Sequence, residues 1–214
     1  MKIVVVGASG MVGSRVVSEA VARGHHVKAV FRGVLPGTLH PGVEAVRGDA
    51  TDIDHMSGVL AGADAIVSAT RPAPGAEDTV AGTITALLDA AAGTRVLVVG
   101  GAGPLRSPSG GLVIDDPAFV PPEWRTIASA STTQLRACEA HAGDWVYLSP
   151  PAVLAPGTRT GAYRRGTTTL LTAADGSSRI SAEDLAIAVV DELEQPGNEK
   201  RFTVGYGHPA PSRI

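Results

Sequence analysis

The chain has 214 residues, a net charge of −3 and a single cysteine, Cys138. That length suits one α/β domain with at most a small appended lobe, and the weakly acidic balance offers no basic surface for nucleic acid. One cysteine excludes an internal disulfide. No apolar run is long enough to span a bilayer, and the amino terminus reads as a strand rather than a signal peptide, so a cytoplasmic location is expected.

Lys2-Ile3-Val4-Val5-Val6 is an apolar, β-branched run that meets Gly7, Gly10 and Gly13 in the spacing G-x-x-G-x-x-G. A helical pattern follows at once, with Val12, Val16, Val17, Ala20 and Val21 on one face. Strand, glycine turn and helix in this order are the context that a dinucleotide-binding motif requires. Gly7 permits the tight turn, Gly10 lets backbone approach a pyrophosphate, and Gly13 lets helix pack on strand. The first-turn N–H groups of Ala8, Ser9, Met11 and Val12 and their neighbours then face the phosphates.

Strands are predicted over His26–Phe31, Val43–Arg47, Asp64–Ser68, Arg95–Val99 and Asp144–Leu148, with a last one at Arg201–Val204. Helices are predicted near 52–60, 76–92 and 122–141, and from Ser181, as cap, to Leu193. The alternation implies a Rossmann-type doubly wound parallel sheet, a single domain over 1–214 with a small C-terminal lobe on the substrate side. Loops rich in Gly and Pro at 71–75, 103–121 and 155–180 follow carboxyl ends of strands, where ligands bind in open α/β sheets, and are read as substrate walls.

The second strand ends Val30-Phe31-Arg32-Gly33, with no acid between Val27 and Thr38. An acid there would bond the adenosine ribose; Arg32 instead suits a 2′-phosphate, which favours NADP(H) over NAD(H), and Arg15 could add a second charge. Asp49, in Gly48-Asp49-Ala50, is placed to meet the adenine amino group or to lead the next helix. Cys138 shares a helix face with Leu135 and reads as core. His141 and His208 lack the spacing of a metal site or a triad, and no metal is expected.

With these segments the chain resembles the short-chain dehydrogenase/reductase superfamily in its extended and atypical branches, and within it the NmrA-like NAD(P)H:flavin reductase group. The resemblance rests on the glycine spacing, Gly48-Asp49, Val98-Val99-Gly100-Gly101-Ala102-Gly103-Pro104-Leu105, Pro122-Glu123-Trp124, Gln134-Leu135 and Glu139, the stretch from Asp144 to Ala152, Pro156 to Gly161, Ser178 to Ser181 with Asp184, and Arg201 to Tyr206. It implies the pyrophosphate on Gly7 to Val12, the adenosine phosphate on Arg32 and adenine near Asp49 and Ala50. It also implies Ser68, Ala69 and Thr70 along ribose and phosphates, Gly100, Gly101 and Ala102 under the nicotinamide, and Pro150, Pro151 and Ala152 at the carboxamide.

One departure governs the chemistry. The superfamily's Tyr and its Lys four residues later are missing: if Gln134 stands at the Lys position, the Tyr position is Ala130. Hydride transfer to a carbonyl needs a proton at its oxygen, whereas a flavin or quinone spreads the charge over a ring. The reading is therefore an NADP(H)-dependent reductase of a planar acceptor, with FMN or FAD as substrate or bound ligand and a small molecule as partner. Glycines after the fifth strand would admit a flat ring. Two alternatives stand: a reductase, epimerase or dehydratase of a small carbonyl or sugar, using Tyr163, Ser149 or Asp115, and a non-catalytic NmrA-like redox sensor. Monomer and homodimer both remain open.

Overall fold

The computed structural model describes residues 1–37 and 40–207. His208 lies outside the described residues. The strands are β1 (Lys2–Val6), β2 (His26–Phe31), β3 (Val43–Arg47), β4 (Ala65–Ser68), β5 (Val96–Val99), β6 (Trp145–Ser149), β7 (Val153–Ala155), β8 (Arg164–Gly166), β9 (Arg179–Ser181) and β10 (Arg201–Gly205). The α-helices are α1 (Met11–Ala22), α2 (Ile53–Leu60), α3 (Val80–Ala90), α4 (Arg125–Ala140) and α5 (Ala182–Glu194).

Eight strands form one sheet in the order β3-β2-β1-β4-β5-β6-β10-β8. Every neighbouring pair is parallel except β10 with β8. This is the doubly wound Rossmann-type α/β fold, and its winding reverses at β1 and β4, the topological switch point where a ligand crevice forms. Alternate side chains of each strand feed two cores, as the two-residue period of a strand dictates. Ile3, Val5, Val67, Leu97, Val146, Leu148 and Phe202 pack beneath α1 and α5. Val4, Val6, Ile66, Val96, Val98 and Tyr147 pack beneath α2, α3 and α4. Near-continuous apolar strands such as Val96–Val99, buried throughout, are what a sheet covered on both faces requires.

Two helices start more tightly than the pattern predicts. A 3₁₀ turn at Glu77–Thr79 precedes α3, and another at Pro122–Trp124 precedes α4. β7, β8 and β9 are additions: each has three residues, and β7 pairs with β9 in a separate small sheet. They belong to a lobe at the carboxyl end of the main sheet that joins two of the expected walls. Arg106 N–H donates to the Thr168 carbonyl (2.8 Å), and Leu170 N–H donates to the Arg106 carbonyl (2.9 Å). Leu105, Val113, Val120 and Leu170 form a satellite core beneath this junction, which is why the long 103–121 segment has a defined course.

Candidate functional site

Gly7 has φ +88°, a left-handed conformation that glycine adopts without strain, and a Cβ there would come within 2.5 Å of the Ala69 carbonyl oxygen. A side chain at Gly13 would collide with the Gly7 carbonyl. These two glycines let the turn after β1 lie against the end of β4 and let α1 start directly above it. Ala8 N–H also bonds the Val30 carbonyl of β2 (3.2 Å), so the turn is wedged between both neighbouring strands.

The start of α1 is left open. Gly10 caps it without a side-chain hydrogen bond, and its first turn carries no acid. By contrast α2 is capped by Asp52, and α5 by Ser181 with Glu183 and Asp184 following. Uncapped first-turn N–H groups and the positive end of the helix dipole suit a pyrophosphate, so the residues present fit a dinucleotide. Met11 is exposed at this mouth and Ser9 lies beside it, while Val12 is half-buried. Ser68 is buried at the end of β4, with its hydroxyl 3.2 Å from that of Thr70, and Ala69 is half-buried between them.

Arg32 follows β2, exposed, and among the described residues makes no hydrogen bond or ion pair. Gly48 N–H bonds the Phe31 carbonyl (3.0 Å), which brings Asp49 to the same corner. Asp49 Oδ1 accepts from the Thr51 N–H (3.0 Å) and hydroxyl (2.7 Å). These bonds, aided by the charge of Arg32, hold its carboxyl below the usual range. Asp49 thus does lead the turn into α2, while among the described residues no bond engages its second oxygen. Ala50 is buried beneath. Arg15 does not join this corner: its Nε donates to Glu183 Oε1 (2.5 Å) and its Nη1 to the Met11 carbonyl (2.8 Å), so the expected second charge for a 2′-phosphate is committed elsewhere.

At the other end of the cleft the glycines after β5 have a different reason from the one expected. A Cβ on Gly100 would collide with the Tyr147 ring and hydroxyl. One on Gly101 would lie 2.9 Å from Ser131 Cβ, and one on Gly103 2.5 Å from the Ala128 carbonyl oxygen. Close packing on Tyr147 and α4 therefore accounts for these glycines, with no need of a stacked ring. The Tyr147 phenol is enclosed. It donates toward the Ser131 carbonyl (2.8 Å) and lies 3.1 Å from Gln134 Oε1. Burial drives its pKa well up. Ala130 and Gln134, the positions at which the resemblance places Tyr and Lys, are both buried on α4. Ala102 accepts the Leu105 N–H through its carbonyl (2.9 Å).

Of the candidate acids only Tyr163 lies apart from this end, since Ser149 follows Leu148, the β6 partner of Val99, and Asp115 follows Ile114, whose N–H bonds the Gly103 carbonyl (3.2 Å). Tyr163 packs against the α1–α5 core and donates to Asp191 Oδ2 (2.5 Å), with its pKa raised by burial and by that carboxylate. Ser149 is buried at the end of β6. Asp115 is exposed and pairs with Arg125 (3.2 Å). Pro150 and Pro151 are buried and have no N–H, so only their carbonyls could meet a carboxamide. The Ala152 N–H donates to Ser178 Oγ (3.3 Å). Cys138 is fully buried, and burial pushes its thiol up to about 12. His141 takes the Gly143 N–H on Nδ1 and faces Asp89 through Nε2 (3.1 Å).

Residue-by-residue reasoning missed Tyr147 and the acids of α5. Glu183 and Asp184 read from sequence as first-turn acids, but they bind the loop at 157–161. A local pattern carries no signal for partners some two dozen residues away.

The NAD(P)H-binding family matches residues 7–196. An uncharacterized Bacillus subtilis protein, YwnB, is 37% identical over 212 residues, covering 95% of this chain and 98% of its own. A candidate epimerase from Bacteroides thetaiotaomicron is 35% identical in structure-based comparison, with 98% of each chain covered and a TM-score of 0.87. A candidate NADH-flavin reductase from Streptococcus pneumoniae, SP1627, is 31% identical, covering 96% of this chain and 99% of its own, with a TM-score of 0.85. The open start of α1 and its glycine cradle therefore have the family setting they require, and the chain belongs to the NAD(P)H-binding family.

Proposed function

We propose that the chain is an NADP(H)-dependent oxidoreductase whose hydride acceptor is a flavin or a quinone-like planar molecule. The observation that carries this reading is the filled proton-donor slot. Where the superfamily's Tyr and Lys would stand are a buried Ala130 and Gln134, and the nearby Tyr147 phenol is enclosed between α4 and the Gly100–Gly101 backbone. A carbonyl acceptor would need an acid there; a conjugated ring does not. The reduced nicotinamide, when bound, supplies the hydride.

The protein's own residues bind and orient. The first turn of α1 and the Gly7 turn hold phosphate, Arg32 pairs with a 2′-phosphate, and Ser68 and Thr70 offer hydroxyls to the ribose. The Pro150 and Pro151 carbonyls accept from a carboxamide. The joined walls at 103–121 and 164–178 keep water from the transfer. The candidate flavin reductase from Streptococcus pneumoniae, 31% identical, agrees with this reading.

The test is NADPH absorbance decay with FMN, FAD, riboflavin and a quinone panel, repeated with NADH. Turnover of one of these, faster with NADPH, is expected. Tight NADPH binding without turnover of any acceptor would replace the reductase by a dinucleotide sensor. Reduction of ketones or sugars that disappears in Tyr163→Phe would replace it by a carbonyl enzyme.

A further inference from the structure

We propose that Glu183 and Asp184 are positioning residues: both pin the 157–161 wall to α5, and Glu183 links it through Arg15 to α1, so that the helix carrying the dinucleotide turn and the acceptor wall move as one body. The effect on the acceptor rests on the reading given under Proposed function; the pinning does not.

The segment Gly157-Thr158-Arg159-Thr160-Gly161 contains no large apolar side chain and is exposed throughout. It has no regular secondary structure of its own. Burial of apolar surface cannot fix it, so polar bonds must. Glu183 bridges two elements with its two oxygens: Oε1 accepts Arg15 Nε of α1 (2.5 Å), and Oε2 accepts the Gly157 N–H (2.7 Å). Arg15 in turn bonds the Met11 carbonyl (2.8 Å) in the first turn of α1, the turn that faces the phosphates.

Asp184 is fully buried and holds the far end of the same segment. It accepts the N–H groups of Thr160 (2.8 Å) and Gly161 (3.0 Å), the Thr160 hydroxyl (2.5 Å) and the Tyr206 phenol. Ser181 Oγ donates to the Thr158 carbonyl between them (2.9 Å). Arg159 adds a direct fork to Glu19 of α1, with both nitrogens at 2.9 Å. A fork of this kind restricts orientation as well as distance. The wall is therefore tied to α5 along its length and to α1 at two points, a preformed surface beside the cofactor turn rather than a lid.

The experiment uses the full-length protein and two variants, Glu183→Gln and Asp184→Asn. The first changes a half-exposed residue and keeps its shape, so it folds even if the second, at a buried carboxylate, does not. Limited tryptic digestion reads the wall without any acceptor, because Arg159, Arg164 and Arg165 lie in or beside it. Cleavage there should be slow in the wild type and about 10-fold or more faster in Glu183→Gln, since proteolysis follows the population of the opened segment. With FMN or a quinone as acceptor, its KM should rise by about 5-fold or more while the NADPH Kd stays within about 2-fold. An unchanged cleavage rate in Glu183→Gln overturns the pinning. Faster cleavage with an unchanged acceptor KM overturns the positioning role. If the wild type reduces no flavin or quinone, the reductase reading fails by itself, and the cleavage rates still decide whether the wall is pinned.

Discussion

Arg32 stands where β2 ends, exposed and unpaired among the described residues, and the discrimination between the two dinucleotides should concentrate there. Replacing it by alanine removes a forked donor from a phosphate but leaves every contact that NADH would make. The NADPH Kd should rise by roughly 10-fold or more, equivalent to about 1.4 kcal/mol, with the NADH Kd little changed. Titration by nucleotide fluorescence measures both, and a parallel loss for the two nucleotides would remove Arg32 from the site. Tyr147 gives a second separation. Its phenol ties β6 to the Ser131 carbonyl and Gln134 of α4, so Tyr147→Phe should cost about 1–2 kcal/mol in urea unfolding. The same variant should keep its pH–rate profile, because that proton does not reach a substrate; a lost basic limb would make Tyr147 an acid after all. At this scale the place of Arg32, directly after β2, was legible because strand ends have fixed places in the fold. Tyr147 was not: its role depends on which glycine faces it across the β5–β6 pair.

Among the elements, the strands and helices of the main sheet follow the sequence closely because apolar period and burial agree. Val96–Val99 is buried on both faces, and α1 and α5 show one continuous apolar side to the sheet. β7, β8 and β9 escaped because three-residue strands carry no period; only their partners define them. α5 is the element that does most beyond packing. Burial opposes ionisation of Glu183, Asp184 and Glu194, yet hydrogen bonds and nearby cations outweigh it and hold all three carboxyls below their usual values. Glu19 of α1 is likewise lowered, chiefly by its bonds to Arg159. Groups lowered in the folded state stabilise it above their ordinary pKa, near 4, and lose that contribution as pH falls through the folded values. The urea midpoint should therefore be flat between about pH 7 and 5 and drop below about pH 4, with the α1–α5 side losing exchange protection first. A midpoint that rose on acidification would contradict the assignment of these carboxylates as paired anions.

For the whole molecule, the two layers of helices, the sheet and the joined walls make one connected body, and cofactor binding should register in its global stability. The dinucleotide turn lies at the centre of the sheet, between the ends of β2 and β4, and global unfolding must take it apart. A ligand that binds only the folded state stabilises it in proportion to the logarithm of its saturation. NADPH at about 100 times its Kd should contribute roughly 2.7 kcal/mol, which for a chain of this size shifts Tm by about 5–10 °C. NADH at the same concentration should shift it less, and Arg32→Ala should bring the two shifts together, because the 2′-phosphate is the sole difference between the ligands. FMN alone should move Tm little if its place is completed by the bound nicotinamide, and should add to the NADP⁺ shift when both are present. Differential scanning fluorimetry with NADPH, NADH, NADP⁺ and FMN, singly and paired, measures each of these steps. Equal shifts for NADPH and NADH in the wild type would end the NADP(H) assignment, and a full FMN shift without nucleotide would mean that flavin is held at a site independent of the dinucleotide cleft.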